Sequence, residues 1–159
     1  MNRVTPGIAA LRPLLRVLAV LLLPLLLVGC QESAPQAQEP VWGKQPCGHC
    51  AMLLSERTHG AQLLTVQEDR VFFDDIGCLI AWDAAHPGQA KLRWARQHDQ
   101  DPKGTGWLAA ETATYARAKH TPMDFGFVAL AKPATADPAQ PSVAWPEVVG
   151  AVTKKLQGP

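Results

Sequence analysis

Along the chain, short apolar runs alternate with two stretches of helical spacing. Residues 62–66 and 70–73 are apolar, partly β-branched runs joined by a short polar turn, which predicts a β-hairpin. Asp74-Asp75 then offers a helix N-cap, Ile76, Leu79, Ile80 and Asp83 fall at helical spacing, and His86-Pro87-Gly88 stops the element. Leu92 and Trp94 alternate with polar neighbours, as in a strand. Residues 98–106, rich in Asp and Gly, read as loop. Residues 107–110 and 114–118 predict a second hairpin with a tight turn, before a loop over 119–125 and a strand over 126–130. Residues 132–141 form a Pro- and Ala-rich linker. A last helix begins near Pro146, whose fixed φ suits a first turn. Val148, Val152 and Leu156 make its apolar stripe, and Lys154 and Lys155 suit its negative C-terminal end. The order strand, strand, helix, strand, then strand, strand, strand, helix predicts an α+β fold of two β-β-α-type units sharing one core.

The first thirty residues follow another pattern. Arg3, Arg12 and Arg16 precede an apolar run over 17–28 that only Pro24 interrupts. That run falls short of the about 20 residues a membrane-spanning helix needs, so residues 1–29 read as an export signal. It ends in Leu27-Val28-Gly29-Cys30, which resembles a bacterial lipobox. In that motif the Cys is linked to diacylglycerol and the signal is cut just before it. Several acyl chains on Cys30 would anchor the chain stably to a membrane. Gln31 occupies the place where Asp would favour inner-membrane retention, so the outer membrane of a Gram-negative host is slightly preferred. After the signal peptide, residues 30–45 read as the lipidated Cys30 and a flexible tether of Gln, Ala, Pro and Glu, and residues 46–159 as the domain.

Charge and cysteine count narrow the function. Removal of the signal takes three of fifteen basic residues and none of fourteen acidic ones, leaving a net charge of −2. Such a balance gives no electrostatic reason to expect a nucleic-acid partner. With Cys30 lipidated, Cys47, Cys50 and Cys78 remain, and an odd number of thiols outside the cytoplasm implies that at least one is free or bound to something.

Chemistry concentrates in Pro46-Cys47-Gly48-His49-Cys50-Ala51-Met52. A Cys-x-x-Cys pair suits a redox disulfide, half of a zinc site, or soft-metal binding. In an extended segment Cys50 and Met52 would face the same side, and thiolate with thioether is a ligand set that selects Cu(I). Cys47-Gly48-His49-Cys50 also reads like the active-site tetrapeptide of protein disulfide isomerases, but no apolar β-run precedes it. A structural zinc site wants four ligands, and neither a second Cys-x-x-Cys nor a His-x₃₋₅-His follows. A thiol-disulfide oxidoreductase using Cys47 and Cys50 and a structural zinc module stay as alternatives. His49 and His120 adjoin sulfur-bearing motifs and are candidate ligands, whereas His59, His86 and His98 read as solvated. Cys78, beside Leu79 and Ile80, reads as a buried core thiol. Met123 lies in the Pro-defined loop Thr121-Pro122-Met123, off any apolar stripe, which favours a functional role.

Taken together, Cys47-x-x-Cys50-x-Met52, Phe73-Asp74-Asp75-Ile76-x-Cys78-Leu79 and Thr121-Pro122-Met123 before a hydrophobic strand resemble the NosL family of copper-binding lipoproteins, over about residues 47–130. The resemblance implies a small NosL-like α+β fold and Cu(I) as the bound ion, with no catalytic residues. It implies a non-enzymatic metallochaperone that delivers copper for maturation of nitrous oxide reductase or a related cuproenzyme. A membrane ABC-type complex is the implied helper, on the periplasmic face of a membrane. By motif position, Cys50, Met52 and Met123 inherit ligand roles. Ala51 departs from the family pattern, where Gly is usual.

Overall fold

A computed structural model describes residues 34–98, 106–131 and 141–158. The expected signal peptide, Cys30 and the start of the tether lie outside the described residues, as do residues 99–105 of the expected loop and 132–140 of the expected linker. The fold is carried by a compact unit, Ala37–Pro159.

β1 (Ala61–Thr65) and β2 (Arg70–Phe73) form the expected antiparallel hairpin, with Ala61 opposite Phe73 and Leu64 opposite Arg70. β1 is buried along its whole length, because it is a central strand flanked by β2 and by β3 (Ala90–Arg96). Its polar Gln62 is tolerated there by full pairing. The Gln62 amide donates to the Gln38 carbonyl at 2.7 Å and its Oε1 accepts from the Gln38 N–H at 2.9 Å and Arg70 at 2.6 Å. Residues 38–45, expected within the tether, are thus fastened to the domain. Glu39 also meets Arg96 at 2.6 Å, and the Gln45 carbonyl accepts from the Leu54 N–H at 2.9 Å. Polar composition concealed this docking, which depends on main-chain and charged contacts rather than an apolar stripe.

α1 (Ile76–Ala85) begins where expected, with Asp75 as N-cap accepting from the Gly77 N–H at 2.8 Å, and ends at His86. β4 (Trp107–Ala109) pairs with β3, completing a sheet of order β2-β1-β3-β4. The expected hairpin between residues 107–110 and 114–118 does not form. Instead β5 (Thr114–Arg117) pairs with β6 (Phe127–Leu130) in a separate two-stranded sheet. Two contacts account for the switch. Trp107 sits opposite Arg96 with the guanidinium 3.9 Å from its ring centre, which holds β4 on β3. The turn after β4 then carries Tyr115 into the core, where its hydroxyl donates to the Ala110 carbonyl at 2.9 Å.

α2 (Trp145–Leu156) starts with Pro146 in its first turn and buries Val148 and Val152, but Leu156 at its end is exposed rather than part of the stripe. The units β1-β2-α1 and β5-β6-α2 share one core, in which Leu63, Phe73 and Leu79 of the first join Tyr115, Phe127 and Val148 of the second. The architecture is therefore the expected α+β fold, with the second hairpin redrawn. Among the described residues, no helix is long and apolar enough to cross a membrane.

Candidate metal centre

The corner between β2 and α1 organises the site. Asp74 and Asp75 are both buried, and each carboxylate clasps a different loop. Asp74 Oδ1 accepts from the Ser55 N–H at 2.7 Å, and its Oδ2 from the Ser55 hydroxyl at 2.9 Å. Asp75 Oδ1 caps α1, while its Oδ2 accepts from the Thr121 hydroxyl at 2.5 Å and the Met123 N–H at 3.2 Å. Charge-assisted bonds of this kind are the stronger class, so one dipeptide ties the Cys47 loop and the Met123 loop to the helix start. Gly77 completes the second tie, since a Cβ there would lie 2.0 Å from Phe125 Cγ.

The Cys47 loop is a closed turn. Pro46 bridges Leu53, the Cys47 N–H donates to the Met52 carbonyl at 2.7 Å, and the Ala51 N–H donates to the Cys47 carbonyl at 3.0 Å. Reversing the chain within so few residues puts Ala51 at φ 61, the left-handed region. Gly48 lies flat on β2: its N–H donates to the Phe72 carbonyl at 2.8 Å, and a Cβ would stand 2.3 Å from Val71 Cγ1. The Gly of the Cys-Gly-His-Cys run is thus required by close approach.

This turn faces the first turn of α1, where the Cys78 N–H donates to the Asp75 carbonyl at 3.0 Å. The ligand sulfurs of Cys47, Cys50 and Cys78 all lie within 4.8 Å of one another, and all three cysteines are free. Cys78 and Cys47 are buried and Cys50 is half-buried, so the cluster has a floor and a mouth. The Cys78 S–H hydrogen-bonds the Cys47 sulfur and, with the N–H groups of Cys50, His49 and Asp74, lowers the Cys47 pKa to about 5 against the opposing effect of burial. Donation to Cys47 pushes Cys78 far up, with burial adding to it, and burial also raises Cys50. The surroundings thus favour the thiolate at Cys47 and the protonated thiol at Cys50 and Cys78. Three sulfurs around one ion at metal–sulfur bonds of about 2.3 Å would stand about 4 Å apart. A small contraction brings the cluster to that spacing. Among the described residues, no His, Asp or Glu joins the three cysteines.

Cys47 and Cys50 are thus brought together, and Cys78, read from sequence as a core thiol, is both buried and a member of the cluster. Its signal was present in the odd thiol count and in its place in the first turn of a capped helix, where the dipole would favour a metal-bound thiolate. Met52 does not share an extended face with Cys50, because left-handed Ala51 turns the chain between them; Met52 is 55% exposed. Met123 is half-buried against the core, held beside the helix start through Asp75. His49 and His120 are exposed, and it is the backbone N–H of His49 that reaches Cys47.

No family model and no curated protein matches the chain. Among solved structures, the copper chaperone NosL from Shewanella denitrificans is similar, with a TM-score of 0.53 and 17% identity, over 62% of this chain and 81% of that one. At that identity the likeness concerns the fold, and it is the NosL-like α+β fold expected from the motifs.

Proposed function

We propose that this protein is a non-enzymatic, lipid-anchored carrier of Cu(I) outside the cytoplasm. The observation that carries the reading is the three-sulfur cluster, graded from buried Cys78 and Cys47 to half-exposed Cys50, with the Met52 thioether exposed two residues further on. Thiolate and thioether ligands are soft and select Cu(I) over the harder ions. The likeness in fold to a copper chaperone supports the same reading.

A carrier must hold its ion away from water and still release it. Cys50 is the accessible thiol of the cluster, so an incoming ion meets it and exposed Met52 first and then passes to the Cys47 thiolate and Cys78. Release reverses the order, one sulfur at a time, so the ion is never without a ligand. Met123, held by Asp75, supplies a thioether with no proton to lose. The proposed ligands are therefore Cys50, Met52 and Met123, as the family resemblance implies, together with Cys47 and Cys78.

Cys30 would carry the lipid anchor, and the client would be nitrous oxide reductase or a related cuproenzyme, helped by an ABC-type membrane complex. A disulfide-exchange role fits the cluster less well. An attacking thiol should be exposed and of low pKa, whereas here the more accessible thiol, half-buried Cys50, is raised by that burial and the lowered one, Cys47, is covered. Metal analysis of the reduced protein, offered Cu(I) and Zn(II) together without oxygen, tests the reading. One Cu(I) per chain is expected, whereas retention of Zn(II) in its place would contradict it.

A further inference from the structure

His59 and His98 lie 39 positions apart in the chain and read from sequence as solvated, yet the fold brings their rings together. His59 stands just before β1 and His98 just after β3, and these strands are antiparallel neighbours with Ala61 opposite Ala95. The Arg96 N–H donates to the Gly60 carbonyl at 2.8 Å and the His98 N–H to the Ala129 carbonyl at 2.8 Å, so both backbones are fixed. The ring centres are 5.2 Å apart and the planes are inclined at 56°.

We propose that His59 and His98 form a second metal site, separate from the sulfur cluster, for a borderline divalent first-row ion such as Zn(II), with Glu56 as the positioning residue. The spacing suits the chemistry. A metal–nitrogen bond of about 2.0 Å leaves a ring centre about 3 Å from the ion, and a tetrahedral angle then separates two such centres by about 5 Å. Neutral imidazole is a ligand that borderline divalent ions of this kind accept readily.

The tautomer of His59 is also set for the role. Its Nδ1 lies 3.1 Å from Glu56 Oε2 and 3.2 Å from the Thr58 hydroxyl. An ionised carboxylate only accepts, so Nδ1 carries the hydrogen and Nε2 keeps its lone pair. A carboxylate behind the non-ligating nitrogen is the usual support of a metal-bound histidine. The side chain of His59 is 10% exposed, so the surrounding protein holds its ring in place. Water would complete the coordination, so the site is an open one with two protein ligands.

Site-resolved imidazole ¹H–¹⁵N spectra of the reduced protein, titrated with Zn(II), test the assignment. His59 and His98 should shift together with one dissociation constant, on Nε2 of His59. His98→Gln, at an exposed position, should abolish the His59 shift, and Glu56→Gln should weaken binding by about tenfold. Rings that stay unmoved while Zn(II) goes to the thiols would overturn the proposal, as would two rings that shift independently.

Discussion

Replacing Asp75 by Asn isolates the clasp that holds the Met123 loop. Asn is as good a helix cap as Asp, so its Oδ1 keeps the bond to the Gly77 N–H. The change falls on Oδ2, which becomes an NH₂ facing the Thr121 hydroxyl and the Met123 N–H. The hydroxyl can rotate and accept. The Met123 N–H is fixed by its peptide plane and loses its acceptor. One bond to a charged group is worth about 1.5–3 kcal/mol, so global stability should fall by about that amount. The same energy makes opening of the loop roughly 10- to 100-fold more frequent. Urea unfolding reads the first quantity and hydrogen exchange at the Met123 amide reads the second. Should the Asn amide turn the other way, Gly77 becomes the orphan instead, so both amides are followed. If both stayed as protected as in the wild type, with unchanged stability, Asp75 would not be the clasp. Asp75→Ala removes the cap as well and should cost on the order of 4 kcal/mol, a large share of a small domain's stability.

Gly48→Ala should destabilise the fold by about 1–3 kcal/mol, because its Cβ meets Val71, and Cu(I) affinity should fall with it as the loop lifts off β2. Ala51→Gly should relieve the left-handed residue and raise the unfolding midpoint, with a gain of about 1 kcal/mol at most once the added chain entropy is counted. In the metal-free reduced protein, thiolate absorbance should show one thiolate persisting well below neutrality and disappearing near pH 5. Cys47 is lowered in the folded state, so its contribution to stability is complete above the ordinary thiol pKa of about 8.5 and is lost as pH falls through about 5. Unfolding curves should therefore show stability rising with pH across that window, and a flat profile would contradict the Cys78-to-Cys47 bond. Met123→Leu should fold normally at a cost under about 1.5 kcal/mol and weaken Cu(I) binding most at mildly acidic pH, where the Cys47 thiolate is increasingly protonated.

The elements that sequence predicts well here are those whose signals are local. Asp75 is followed by helical spacing and a Pro-Gly stop, and β1 and β2 are joined by a four-residue turn, so both lie where expected. The partner of β4 was not legible, because the choice depends on Arg96 meeting Trp107 across a long connection. A short gap between residues 110 and 114 mimics a hairpin turn, and only burial of Tyr115 reveals that the chain leaves the sheet there. The metal centre was half legible. Cys47 and Cys50 are named by spacing, but Cys78 follows the helical pattern of a core residue and joins the cluster only through the Asp74-Asp75 corner. The Cys50 segment is not extended, because Ala51 turns left-handed to close the loop and no glycine marks that turn in the sequence. The histidines at 59 and 98 carry no local signal, because their meeting depends on the register of β1 against β3.

The claim that three sulfurs form the copper seat is tested most directly by X-ray absorption of the Cu(I)-loaded protein beside its Cys78→Ser variant. The account predicts one Cu(I) per chain with at least three sulfur neighbours at about 2.3 Å, falling by one in the variant. An unchanged sulfur shell in Cys78→Ser would return Cys78 to the core and confine the seat to the Cys50 loop.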